Sequence, residues 1–270
     1  MKIRELTGYS GKMIKGRRWE LFLICLLPIG TELFLRTAEG ALYSLMLYFG
    51  SLRPFDLFTG RNAEQAVLSA IFSLLRFLIL PPLWCGLGAR LMMFAEGKNE
   101  SPAFYELLLN GKFILRSVSA AFFVKLISAL LLTPVVVSTA FAVNMLSDGA
   151  EGDELFIAVN LIALSIALGL YWISVRIGLT AVPLLLWRKK ELSAFSTVIF
   201  ALKFMRHRRS MPFKLMLAYL PLTLTVVGAP YFIPQWAASY AVGISIFFKE
   251  DETAHERACI HGGYGKSTAA

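Results

Sequence analysis

Residues 117–143 form a run of 27 residues in which Lys125 is the sole charge. A helix needs about 20 apolar residues to cross the hydrocarbon core of a bilayer. Inside that core only helices and closed barrels satisfy their own backbone groups. This run therefore limits the chain more than any motif does, and it predicts an all-α membrane protein. Similar runs cover 19–35, 66–95, 155–187 and 211–228, and a short last one passes Pro230 and Pro234 to end near Phe248. The expected fold is a polytopic membrane helix bundle of six transmembrane helices, set out as three hairpins. Pro81-Pro82 removes two backbone donors near the middle of the second run, so a kink is expected there. Residues 36–64 read as an outer loop, whose apolar part at 41–49 is too short to cross. The domain reading is one transmembrane domain over 1–248, then a flexible cytoplasmic tail over 249–270.

Charge distribution gives the threading. Only 17% of the residues are charged and the mean hydropathy is +0.63, against about 25% charged in soluble domains. The net charge of +9 raises nucleic acid as a partner, but the basic residues cluster by segment. Six fall in 1–18, three in 95–116, eight in 188–214 and three beyond residue 248, against three (Arg36, Arg53 and Arg61) on the opposite side. The positive-inside rule then puts both termini in the cytoplasm of a multi-pass plasma-membrane protein. The acidic loop at 147–154 lies outside. Pro28, Gly30 and Glu32 interrupt the first run and no cleavage site follows, so it reads as a retained anchor and not as a signal peptide. Three scattered cysteines, Cys25, Cys85 and Cys259, make no disulfide framework.

The three cytoplasmic segments share a register. Lys12-Met13-Ile14, Lys112-Phe113-Ile114 and Lys203-Phe204-Met205 align, and ten residues after each Lys comes Phe22, Phe122 or Phe213. The expected unit is an in-plane helix, a basic elbow and an outgoing span, used three times. In the third unit, residues 193–205 should be a helix capped by Ser193. Phe195, Val198, Ile199 and Leu202 fall at i, i+3, i+4 and i+7 and should sink into the acyl boundary, with Ser196 and Thr197 on the polar side. Arg206, Arg208 and Arg209 are then the expected contacts to anionic lipid headgroups.

Several of these residues also carry a resemblance. Pro82-Leu83-x-x-Gly86, Phe104, Tyr171 with Pro183-Leu184-Leu185, Ser193-Ala194-Phe195, the Met205 to Arg209 elbow and Ala229-Pro230-Tyr231 together resemble a family of bacterial six-span membrane proteins. The family is known as domain of unknown function nine-seven-five. It is similar in pattern to the membrane part of some glycerophosphodiester phosphodiesterases. The resemblance covers most of the chain and implies topology, with no activity attached. The chain departs from the family in its arginine-rich elbow, where members keep a Ser-rich, Lys-Gly sequence, and in the long stretch at 36–64.

Charges inside spans are costly and mark functional candidates. Arg76 and Glu32 both fall in outer halves of adjacent runs and are expected to form an intramembrane ion pair locking two helices. Arg36, four residues from Glu32, could also take that carboxylate along the helix. Lys125, Arg90 and Arg176 read as snorkelling side chains. Gly263 to Thr268 has the look of a phosphate loop, but Ile260 stands where its first glycine is needed and too little chain follows for a helix. His255, Cys259 and His261 are a weak metal set in a polar tail. No catalytic residues, cofactor or metal are assigned. The function expected is that of a non-enzymatic scaffold or lipid- and partner-interacting membrane protein, with no nucleic acid. The alternative is a transporter or permease component, and a lipid-modifying enzyme is the third reading. A polar cavity at mid-membrane would favour transport over a scaffold.

Overall fold

The computed structural model describes residues 3–48, 63–97, 104–149, 151–223 and 229–263. Within them the chain forms ten helices and no strand. They are α1 (Ile3–Met13), α2 (Arg18–Tyr48), α3 (Ala63–Ala95), α4 (Phe104–Leu109), α5 (Gly111–Ser147), α6 (Asp153–Leu179), α7 (Val182–Arg188), α8 (Ala194–Phe204), α9 (Ser210–Thr223) and α10 (Ala229–Gly263). Four stretches are long and apolar enough to cross a membrane: Arg18–Met46, Ala66–Ala95, Gly111–Ser147 and Asp153–Arg188. The apolar side chains on their outer faces remain uncovered; Phe34 and Phe156 are each 71% exposed. Water would make each such side chain cost roughly 1.5–3 kcal/mol, whereas acyl chains cover it at no such cost.

Local chemistry sets the helix ends. Asn110 caps α5, its side-chain oxygen accepting from the Lys112 and Phe113 amides at 3.1 and 3.4 Å. Ser193 caps α8 as expected, accepting from the Ser196 amide at 3.2 Å. Gly149 and Gly152, at φ 80° and 57°, turn the chain between α5 and α6 where a side chain would be strained. Beyond that turn, α5 and α6 zip together. Ser138 and Ser165 share a hydroxyl bond of 2.7 Å, and the Trp172 indole donates to Ser128 at 3.0 Å.

Three short helices each lead into a second helix. α1 leads through an elbow into α2, α4 into α5 at Asn110, and α8 through residues 205–209 into α9. Ile14 and Met205, which align in the register, are both fully buried at their elbows. The core gathers at this elbow end, around Met92, Leu185, Leu186, Val198, Leu215 and Ile244. There α3 and α7 touch backbone to backbone. A Cβ at Gly88 would stand 2.7 Å from the Pro183 carbonyl carbon, so only glycine lets the two helices approach this closely.

Three expectations change. Residues 36–48 are not loop, because α2 continues through them to Tyr48, while α3 remains one helix through Pro81-Pro82. The run over 155–187 divides into α6 and α7 at Thr180-Ala181, because Pro183 has no N–H to return to Leu179 and its ring crowds that carbonyl. The expected flexible tail is helical through Gly263, as a continuation of α10.

Candidate functional site

The site begins with a face of α2. Its extension past residue 36 puts Glu32, Arg36 and Glu39 at i, i+4 and i+7, on one side of the helix. Arg36 bonds Glu32 through Nη2 at 2.7 Å and Nε at 3.1 Å. Arg76, coming from antiparallel α3, takes Glu39, and its Nε donates to the Phe72 carbonyl at 3.2 Å. The expected Arg76–Glu32 pair is thus replaced by two others. The physical reason is that Glu39, read as loop, lies on the helix seven residues beyond Glu32.

Glu32 and Arg76 nonetheless meet in one place. Both line a cavity of about 770 Å³ between α2, α3, α5, α6, α7 and α10. Arg36, Lys125 and Arg176 line it as well. Lys125 sits 4.8 Å from the Phe77 ring centroid, and Arg176 is in the last turn of α6. The bonds Trp172–Ser128 and Ser138–Ser165 fix the α5/α6 register, which brings Lys125 and Arg176 to one level. Lys125 lies 14 residues into α5, roughly 21 Å along the helix. Both are exposed on the cavity side of the bundle, and neither has a carboxylate partner among the described residues. The rest of the wall is largely apolar, with Leu80, Trp84, Val124 and Trp236, and carries the hydroxyl pair Thr180–Tyr240 at 2.8 Å.

The other expected snorkelling side chain behaves differently. Arg90 is paired with Glu20 at 2.9 Å. Lys125 and Arg176 were missed as a pair, though a signal existed: they lie about 25 residues on either side of the turn at 148–152, so an antiparallel hairpin must align them.

At the elbow end, α8 is rotated from the face the spacing predicted. Thr197, Val198, Ala201 and Phe204 are its buried residues. Ile199 and Leu202 are half-buried, and Phe195 stays exposed on one side while its ring meets Phe123. Thr197 is therefore not on the polar side. It donates to the Ser193 carbonyl at 2.8 Å and faces the Arg116 guanidinium at 3.3 Å, whose other contact is the Lys189 carbonyl. The expected headgroup arginines divide. Arg208 holds Asp251 through two hydrogen bonds, one of 2.8 Å, and stacks on Phe204 and Phe247. Arg209 donates to Ser174 at 2.9 Å, and Arg206 is exposed. Arg188 likewise bridges Glu96 and Glu252, the latter at 3.1 Å. The acidic start of the former tail is thus clamped to the end of α7 and to the elbow after α8.

Among the described residues no cluster of His, Cys, Asp and Glu could hold a metal. The side chains of His255, Cys259 and His261, and residues 264–268 of the loop-like sequence, lie outside the described residues. Comparison with protein-family models, with curated proteins and with solved structures finds no match.

Proposed function

We propose that this chain is a multi-pass membrane protein that binds an anionic amphiphile in the cavity between its spans and catalyses no reaction of its own. One observation carries the reading: Lys125 and Arg176 line a largely apolar cavity of about 770 Å³, and among the described residues neither is paired with a carboxylate. An unpaired charge among membrane spans costs several kcal/mol unless water, headgroups or an anion meets it. The apolar remainder of the wall suits an acyl chain, and the lipid bilayer is the nearest source of one. In finer detail, the protein crosses the plasma membrane six times as three hairpins, with both termini cytoplasmic. The basic asymmetry and the three helix–elbow–helix units support this, as does the resemblance to the six-span bacterial family. Arg206 is the elbow arginine left to meet anionic headgroups, and a membrane-protein partner fits the uncovered outer faces. Transport, as a permease component, is the second reading. The helix break at Thr180-Ala181 beside the cavity favours it, since broken helices at a central site are a transporter device.

The test is extraction of lipid from the purified full chain. Wild type should retain an anionic lipid, and a Lys125→Gln/Arg176→Gln double variant should lose most of it while zwitterionic lipid is unchanged. Equal anionic lipid in both preparations would refute the site.

A further inference from the structure

The cavity's charges do not all stand ready for a ligand. Glu32 takes Arg36 at 2.7 Å and Glu39 takes Arg76, so two of the four cations on the wall are already matched. Lys125 and Arg176 remain. Resting on the reading that this cavity holds an anionic amphiphile, we infer that its ligand is a lipid phosphomonoester, with the phosphate held between Lys125 and Arg176. Two cations at one level of the same cavity wall, without a carboxylate partner among the described residues, call for two negative charges on one ligand. A phosphomonoester carries about −1.5 to −2 at neutral pH on three acceptor oxygens. A phosphodiester or a carboxylate carries a single charge and leaves one cation unmatched in a low dielectric. The two side chains also divide the work. The guanidinium of Arg176 offers a planar fork for two oxygens, and the ammonium of Lys125 is a point charge for the third. The Phe77 ring 4.8 Å from Lys125 offsets little of that charge, since a cation–π contact is weaker than an ion pair. The Tyr240 and Thr180 hydroxyls on the same wall are neutral, so they leave the charge count unaltered.

The experiment titrates the full chain in detergent by native mass spectrometry with three lipids of equal acyl length: phosphatidic acid, phosphatidylglycerol and a fatty acid. Inorganic phosphate serves as competitor. The expected result is phosphatidic acid bound about tenfold or more tighter than the other two, a modest figure for one added charge beside two cations. Lys125→Gln and Arg176→Gln should each erase that preference while leaving weak binding of phosphatidylglycerol. Lys203→Gln, at an exposed lysine outside the cavity, should leave it intact. Lys125→Arg, which keeps the charge, should keep the preference and guards against a misfolded glutamine variant. The wild-type ranking needs no variant at all. Equal binding of phosphatidic acid and phosphatidylglycerol, both sensitive to the two glutamine variants, overturns the phosphomonoester while the anionic cavity stands. Anionic-lipid binding that ignores both variants overturns the cavity as well. Displacement by inorganic phosphate at the lipid's own affinity overturns the lipid and leaves a free phosphate as the ligand.

Discussion

At the scale of single residues, the charges within spans are where physics constrains the chain most. Arg76 and Glu39 are only 22% and 23% exposed, so removing one strands the other in a poorly solvated place. Arg76→Leu is expected to cost about 2–4 kcal/mol, read as a drop in the thermal unfolding temperature in detergent. Adding Glu39→Leu should recover part of that loss, and adding Glu32→Leu should not, because Glu32 keeps Arg36. Strictly additive losses for Arg76 and Glu39 would dissolve the pair. Sequence made Arg76 and Glu32 visible as candidates because an intramembrane charge stands out by itself. The partner was not visible, since Glu39 had been assigned to a loop and a loop residue has no fixed face. Lys125 and Arg176 illustrate a second limit. Each alone resembles a snorkelling side chain, and they become a site only when the hairpin aligns them. Thr197 marks a third. Hydrophobic spacing put it outside, but the Arg116 guanidinium enters the core from α5 and needs an oxygen there.

At the scale of elements, the short helices and their elbows were legible because capping and helical spacing are local. Ser193 caps α8 within the very segment that predicts it. The end of α10 was not legible, since Lys249 to Glu252 reads locally as a chain leaving the membrane. What holds it helical lies far away in sequence: Arg188 on α7 and Arg208 at the elbow after α8. This clamp makes a pH prediction. The hydrogen bond from Arg208 holds the Asp251 carboxyl below the ordinary carboxylate range, with the charge of Arg208 adding to it against some burial. The folded-state value is therefore lower than the unfolded one, about 3.9. The contribution is complete above that value and is lost as pH falls through the lowered one, below about pH 4. Asp251→Asn should be less stable than wild type at pH 7, and the gap should close in unfolding scans taken below about pH 4. Because the Asp251 side chain is half exposed, the gap should be small. A gap unchanged down to pH 3 would mean that the clamp is held by the aromatic stacking on Phe204 and Phe247 and not by the carboxylate.

At the scale of the whole molecule, the buried core and the basic elbows share one end of the bundle, while the long helices carry apolar faces away from it. That polarity suits a protein anchored at one membrane surface and immersed beyond it. The all-α membrane class was legible from run length alone, because nothing but a bilayer makes so many uncovered apolar residues tolerable. The number of crossings was less so: α9 has 14 residues, below the length of a span, and 224–228 lie outside the described residues. The orientation we propose rests on the basic asymmetry, since moving arginine-rich segments across a membrane is strongly disfavoured. After replacement of Cys25, Cys85 and Cys259, a single cysteine at Asp148 should react with an impermeant maleimide added outside intact cells. One at Arg206 should react only after the membrane is opened. Those two positions fix orientation but are indifferent to the last pair of spans, because four crossings and six put residue 206 on the same side. Val227→Cys separates them. Labelling from outside means that the chain crosses again through α9 and returns through α10. Protection alongside Arg206→Cys means four crossings, with α9 and α10 packed on the cytoplasmic face. External labelling at 206 with protection at 148 would invert the protein and remove the electrostatic basis for the assignment.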